Sequence, residues 1–126
     1  MYVLGLVLLA IGIIGFFNQP LFGLFAADTS ENLLHAISGI VALVIAAMGD
    51  ASARLWSKIF GYFYVLVALV GFLTPADASM LGFMSVNTAV NFLHLVMGAV
   101  FLYFGYATET MTRRAFAKEW EEDKNR

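Results

Sequence analysis

The chain has 126 residues, 61% of them hydrophobic and 13% charged, with a formal net charge of −2 and no cysteine. A soluble domain carries about 45–50% apolar and about 25% charged residues, so an ordinary water-soluble fold is excluded; no nucleic-acid partner is expected. Without cysteine there is no disulfide framework, no thiolate metal site and no cysteine nucleophile.

The apolar residues gather into four stretches, 1–17, 33–49, 59–73 and 92–107, none of which contains Asp, Glu, Lys or Arg. With their flanking residues they approach the roughly 20 residues that a helix needs to cross a bilayer. Four such stretches cannot all be buried by so little polar sequence. The expected fold is all-α, an integral membrane four-helix bundle.

Taken in order, the first stretch has no Lys or Arg before it and no small-residue cleavage site after it, so it is expected to be a retained helix and not a signal peptide. An apolar connection follows, Pro20-Leu-Phe-Gly-Leu-Phe25, and then Asp28, a strong helix N-cap with Glu31 as a partial capping box. A helix begun there carries Asn32 one turn inside and His35 roughly 10 Å along its axis. The third stretch comes after a basic linker and ends before Pro75. Asn87 is the second N-cap, followed by Asn91 and His94. The tail, 110–126, is charged, with Phe116 and Trp120 four apart, and reads as a solvated surface helix or a frayed extension.

The second half echoes the first. Gly5, Gly15 and Phe16 recur as Gly61, Gly71 and Phe72 at an offset of 56. At an offset of 59, Gly23, Thr29, Asn32, Leu34, His35 and Gly39 recur as Gly82, Thr88, Asn91, Leu93, His94 and Gly98. Composition bias could align leucines but not Asn, His, Thr and Gly in step. The expected architecture is two tandem helical hairpins, repeat one 1–49 and repeat two 53–109, within a transmembrane domain 1–109 and before a cytoplasmic tail 110–126. An even number of spans per unit makes the repeats parallel, related by a pseudo-twofold along the membrane normal.

All seven cations (Arg54, Lys58, Arg113, Arg114, Lys118, Lys124 and Arg126) fall between the second and third stretches or in the tail. The connections after the first and third stretches have none, so both termini are expected in the cytoplasm of a multi-pass protein of the bacterial plasma membrane.

Each stretch has a stripe at alternating three- and four-residue spacing: Gly5, Leu8, Gly12, Gly15; Asn32, His35, Gly39, Ala42, Ala46, Gly49; Gly61, Tyr64, Ala68, Gly71; and Asn91, His94, Gly98, Phe101, Gly105. Lipid gives no hydrophobic drive for helix association, so packing relies on close approach at small residues and on polar contacts. These stripes are the expected helix-packing seams. They turn Asn32, His35, Asn91 and His94 into the bundle as its candidate polar site.

Two readings of that site stay open. In one, each His and Asn are structural glue, bonding each other at i,i+3, an outer-loop carbonyl, Ser38, Tyr64 or the opposite hairpin. In the other, His35 and His94 are axial ligands of one haem or chlorophyll-type tetrapyrrole. No basic residue stands by to hold propionates. A zinc site needs more than two histidines, and the apolar stretches supply no carboxylate, so no metal and no cofactor is expected. Transport would call for intramembrane carboxylates or broken helices. The absence of a Ser-His-acid set, a His-Glu metal motif or a phosphate loop points away from an enzyme and names no catalytic residue.

The repeated N-x-x-H-x-x-x-G, the linker Ala53-Arg-Leu-Trp-Ser-Lys-Ile-Phe-Gly-Tyr-Phe-Tyr64, and Val86-Asn-Thr-Ala-Val-Asn-Phe-Leu-His94 with Phe104-Gly-Tyr106 resemble a bacterial family of small four-helix membrane proteins, a domain of unknown function. The resemblance implies the fold and the repeated histidine and no activity; it also implies a polar or acidic residue before the second Asn, where this chain has Val90. The expected function is a structural or accessory subunit of a membrane complex, with the lipid bilayer and other membrane subunits or a second copy as partners. The alternative is a haem- or pigment-binding protein.

Overall fold

The computed structural model describes residues 1–75 and 78–125, and of residues 108–110 the backbone alone. Ala76 and Asp77 of the third connection and Arg126 of the tail lie outside the described residues. Among the described residues there are four helices: α1 (Tyr2–Phe17), α2 (Thr29–Ala47), α3 (Asp50–Leu73) and α4 (Thr88–Lys124).

Three of them, α2, α3 and α4, are long and apolar enough to cross a membrane. The first helix falls short of that length. It has 16 residues, about 24 Å at 1.5 Å per residue. It leaves the helical conformation at Asn18, two residues before a proline that has no N–H to continue the ladder. The expected four spans are thus three of full length and one shorter apolar helix.

α1 packs along α2 and α3 along α4, while contact between the two pairs is sparse. The reason is written in the small residues. On α1 the buried residues are Gly5, Leu8, Gly12 and Gly15, which recur at a helix's own period. A Cβ added at Gly39 would come within 2.5 Å of the Leu9 backbone nitrogen, and one at Gly12 within 2.5 Å of that of Ala36. In the second pair, Gly98 lies against Val65 and the Gly61 carbonyl, Gly61 against Leu102, and Gly105 against Lys58. At these positions only a missing side chain lets the backbones meet, the packing that holds helices together in lipid. Gly49 is no part of this seam. It is exposed, has φ 107° and caps the start of α3, a conformation glycine adopts without a steric penalty.

Between the pairs sits a small core of Leu8, Ala42, Phe60, Tyr64 and Phe101. The ring of Tyr64 stacks on Phe101 at 6.0 Å, and Phe60 tilts against Phe101 at 5.6 Å. At the end of the bundle away from the termini, the two connections take the same shape. Leu21 pairs with Phe25 and Met80 with Met84 as isolated bridges. Phe22 and Leu81 share φ near 53–54°, each followed by a glycine with positive φ. Leu21, Met80 and Met84 are buried, so both turns fold inward over that end.

α4 runs on without a break to Lys124. The described part of the tail, up to Lys124, is therefore the continuation of a membrane-length helix and not a separate one, and Phe116 and Trp120 stand exposed on it.

Candidate functional site

The caps position the site. Asp28 accepts the Glu31 N–H on Oδ1 at 2.9 Å and the Ser85 N–H on Oδ2 at 2.6 Å. Asn87 accepts the Val90 N–H on Oδ1 at 2.8 Å and donates through Nδ2 to the Leu24 carbonyl at 2.9 Å. Each cap thus starts its own helix and reaches across to the connection of the other pair. That fixes the start of α2 relative to α4, and with it the depth of the side chains one turn in.

Those side chains are Glu31, Asn32 and His35 on α2 and Asn91 and His94 on α4, all buried. The asparagines do not bond their histidines. The Asn32 carboxamide lies where a Cβ on Gly15 would stand, and that of Asn91 where one on Gly71 would. Asn32 Nδ2 and Asn91 Oδ1 have no hydrogen-bond partner among the described residues. Their amides are spent on helix packing, across to α1 and α3, because glycine there leaves the space open.

The histidines turn the other way, toward the space between the pairs. His35 and His94 have ring centroids 5.7 Å apart, and the Tyr64 ring stacks on His35 at 6.0 Å and meets His94 at 5.6 Å. Phe101 also stacks on Tyr64. A flat macrocycle ligated by both imidazoles would have to occupy the space that Tyr64 and the Glu31 carboxylate fill, so the arrangement does not fit a tetrapyrrole.

Sequence reasoning missed Glu31. Read only as a capping residue, it is 2% exposed, with Oε1 3.3 Å from His94 Nε2. The approach is an ion-pair distance without hydrogen-bond alignment, and both carboxylate oxygens and His94 Nδ1 are left without a hydrogen-bond partner among the described residues. The expectation that no carboxylate joins the histidines therefore fails. One ligand atom each from Glu31, His35 and His94 lies within 4.8 Å of the others. The signal was present: Glu31 and His35 are four apart and so share a helix face. The position equivalent to Glu31 in the second pair is Val90, also buried, so the charge enters from one side only.

An apolar cavity of about 270 Å³ adjoins the cluster, roofed by Met80, Phe83 and Met84 and walled by Leu34, Phe63 and Val67.

Residues 1–107 match the family described as Domain of unknown function (DUF4383). The chain belongs to that family. The match takes in all four apolar stretches and the whole polar cluster and stops before the charged end of α4. No match was found among curated proteins or among solved structures.

Proposed function

We propose that the chain is an integral membrane protein of the bacterial plasma membrane, and that it acts as a non-enzymatic accessory subunit, associating with other membrane proteins or with a second copy. The observation that carries this reading is the direction in which the side chains face. Leu6, Ile13, Ile40, Val44, Leu66 and Val96 are exposed along the helices, while the buried polar groups face inward. Such a surface needs lipid or protein against it.

Two further elements of the reading have support of the same kind. A tandem duplication of one hairpin accounts for the paired turns at Phe22 and Leu81, the doubled caps and the two Asn–Gly contacts. Both termini belong in the cytoplasm, since the cations cluster beside the α2–α3 turn and in the tail.

Extraction of native membranes in mild detergent tests the assignment. The expected result is co-elution of the chain in fixed stoichiometry with membrane subunits or with itself, and a C-terminal reporter active only in the cytoplasm. A monomer that elutes alone at every detergent concentration would remove the accessory role.

A further inference from the structure

We propose that Glu31, His35 and His94 form a binding site for one divalent transition-metal ion of the zinc type, shared between the two helix pairs. The proposal stands apart from the accessory role and would survive its failure.

The donor set comes first. Two imidazoles and one carboxylate suit a borderline ion such as Zn²⁺; calcium and magnesium take oxygen ligands. Two histidines and a glutamate with a fourth position left for an exchangeable ligand is an established zinc arrangement. Tetrahedral bonds of about 2.0–2.2 Å separate neighbouring ligand atoms by about 3.3–3.6 Å. His94 Nε2 and Glu31 Oε1 already stand 3.3 Å apart. The three ligand atoms span no more than 4.8 Å, so a closing of about an ångström between the most distant pair would complete the three-ligand shell.

The second observation is independent of spacing. Glu31 is 2% exposed, yet neither of its carboxylate oxygens has a hydrogen-bond partner among the described residues. A buried carboxylate is costly unless it is paired and hydrogen-bonded or coordinates a metal. An ion held between Glu31 and the imidazoles supplies what the protein's own groups do not. The adjoining cavity gives room for a water in the fourth position.

The asymmetry of the halves then sets the stoichiometry. Both pairs contribute a histidine, but Val90 stands where a second carboxylate would be, so the chain holds one site and not two. Its ligands come from α2 and α4, on opposite sides of the sparse contact between the pairs. A bound ion would clasp the halves together, and binding to the native state alone raises stability with concentration.

The test uses the full chain without an added histidine tag, purified in mild detergent, stripped with a chelator and titrated with Co²⁺ and then Zn²⁺. One equivalent of Co²⁺ should bind with the strong visible absorption of a four-coordinate site, Zn²⁺ should displace it, and Tm should rise with Zn²⁺. Glu31→Gln and His94→Gln should each weaken binding by more than the roughly 10–100-fold that loss of a supporting partner brings. Glu122→Gln, at an exposed carboxylate, should change nothing. Should the Gln variants fail to fold, His94→Cys keeps a zinc ligand and should add a thiolate-to-cobalt band. No stoichiometric Co²⁺ in the wild-type chain, or equal binding by folded Glu31→Gln and His94→Gln, would overturn the proposal and leave a proton-sharing Glu31–His94 pair only.

Discussion

The α1–α2 pair and the α3–α4 pair solve one packing problem with the same devices. Each starts its second helix from a capping side chain that also bonds the opposite connection, and each seats an asparagine carboxamide on a glycine of its first helix. They part at one inward position, Glu31 in the first pair and Val90 in the second, both buried. Glycine, asparagine and cap serve the frame, which is needed twice. The carboxylate serves a single centre between the halves, and a second copy of it would put two like charges in one small space.

That comparison can be broken most severely at Val90. Val90→Glu buries a second carboxylate, and it should cost about 3–5 kcal/mol, the scale of an uncompensated buried charge. Chemical unfolding in detergent micelles would read it, and a Val90→Glu protein as stable as the parent would mean the halves are interchangeable.

Next come the seam glycines. Gly39→Leu and Gly98→Leu should each lower stability by at least about 1–3 kcal/mol through overpacking. Gly39 should suffer more, because an added Cβ there meets the Leu9 backbone at 2.5 Å, whereas at Gly98 the nearest atom is a Val65 methyl at 2.7 Å. Ala107→Leu, off the seam, should be mild. Equal thermal stability for all three would place the close approach on another face.

The caps follow. Asp28→Ala and Asn87→Ala each remove a cap, at about 1 kcal/mol, and a bond to the opposite connection. Asp28→Ala should be the worse of the two, since its 2.6 Å bond to Ser85 is charge-assisted. A larger loss at Asn87 would reverse the assignment. Smallest of all, Phe116→Ala and Trp120→Ala on the exposed end of α4 should stay within about 0.5 kcal/mol. A greater change would reveal a contact that the tail makes elsewhere.

Much of the frame was legible in the sequence because it is periodic. Glycines at three- and four-residue spacing can mark a close helix contact with no knowledge of the partner, and Asp28 and Asn87 announce helix starts by residue type alone. The centre was not legible in the same way. A search for charge-free runs begins its second stretch at Leu33 and so leaves Glu31 outside, and a glutamate three residues after an N-cap already has a local explanation. Its burial depends on α4 arriving opposite it, a tertiary fact. The asparagines misled for a related reason. Spacing puts Asn32 and His35 on one face, but the gaps at Gly15 and Gly71 draw the carboxamides to α1 and α3, leaving the imidazoles to Glu31 and Tyr64.

Glu31 and His94 link the two halves directly. A double-mutant cycle with Glu31→Gln, His94→Gln and the double variant, measured by unfolding of chelator-treated protein in one detergent, isolates that link from any bound metal. A coupling between about 0.5 and 3 kcal/mol, as found for residues in contact, is the predicted result. Single-variant effects that add to within about 0.3 kcal/mol would contradict it, for the two side chains would then share a cavity without holding the halves together.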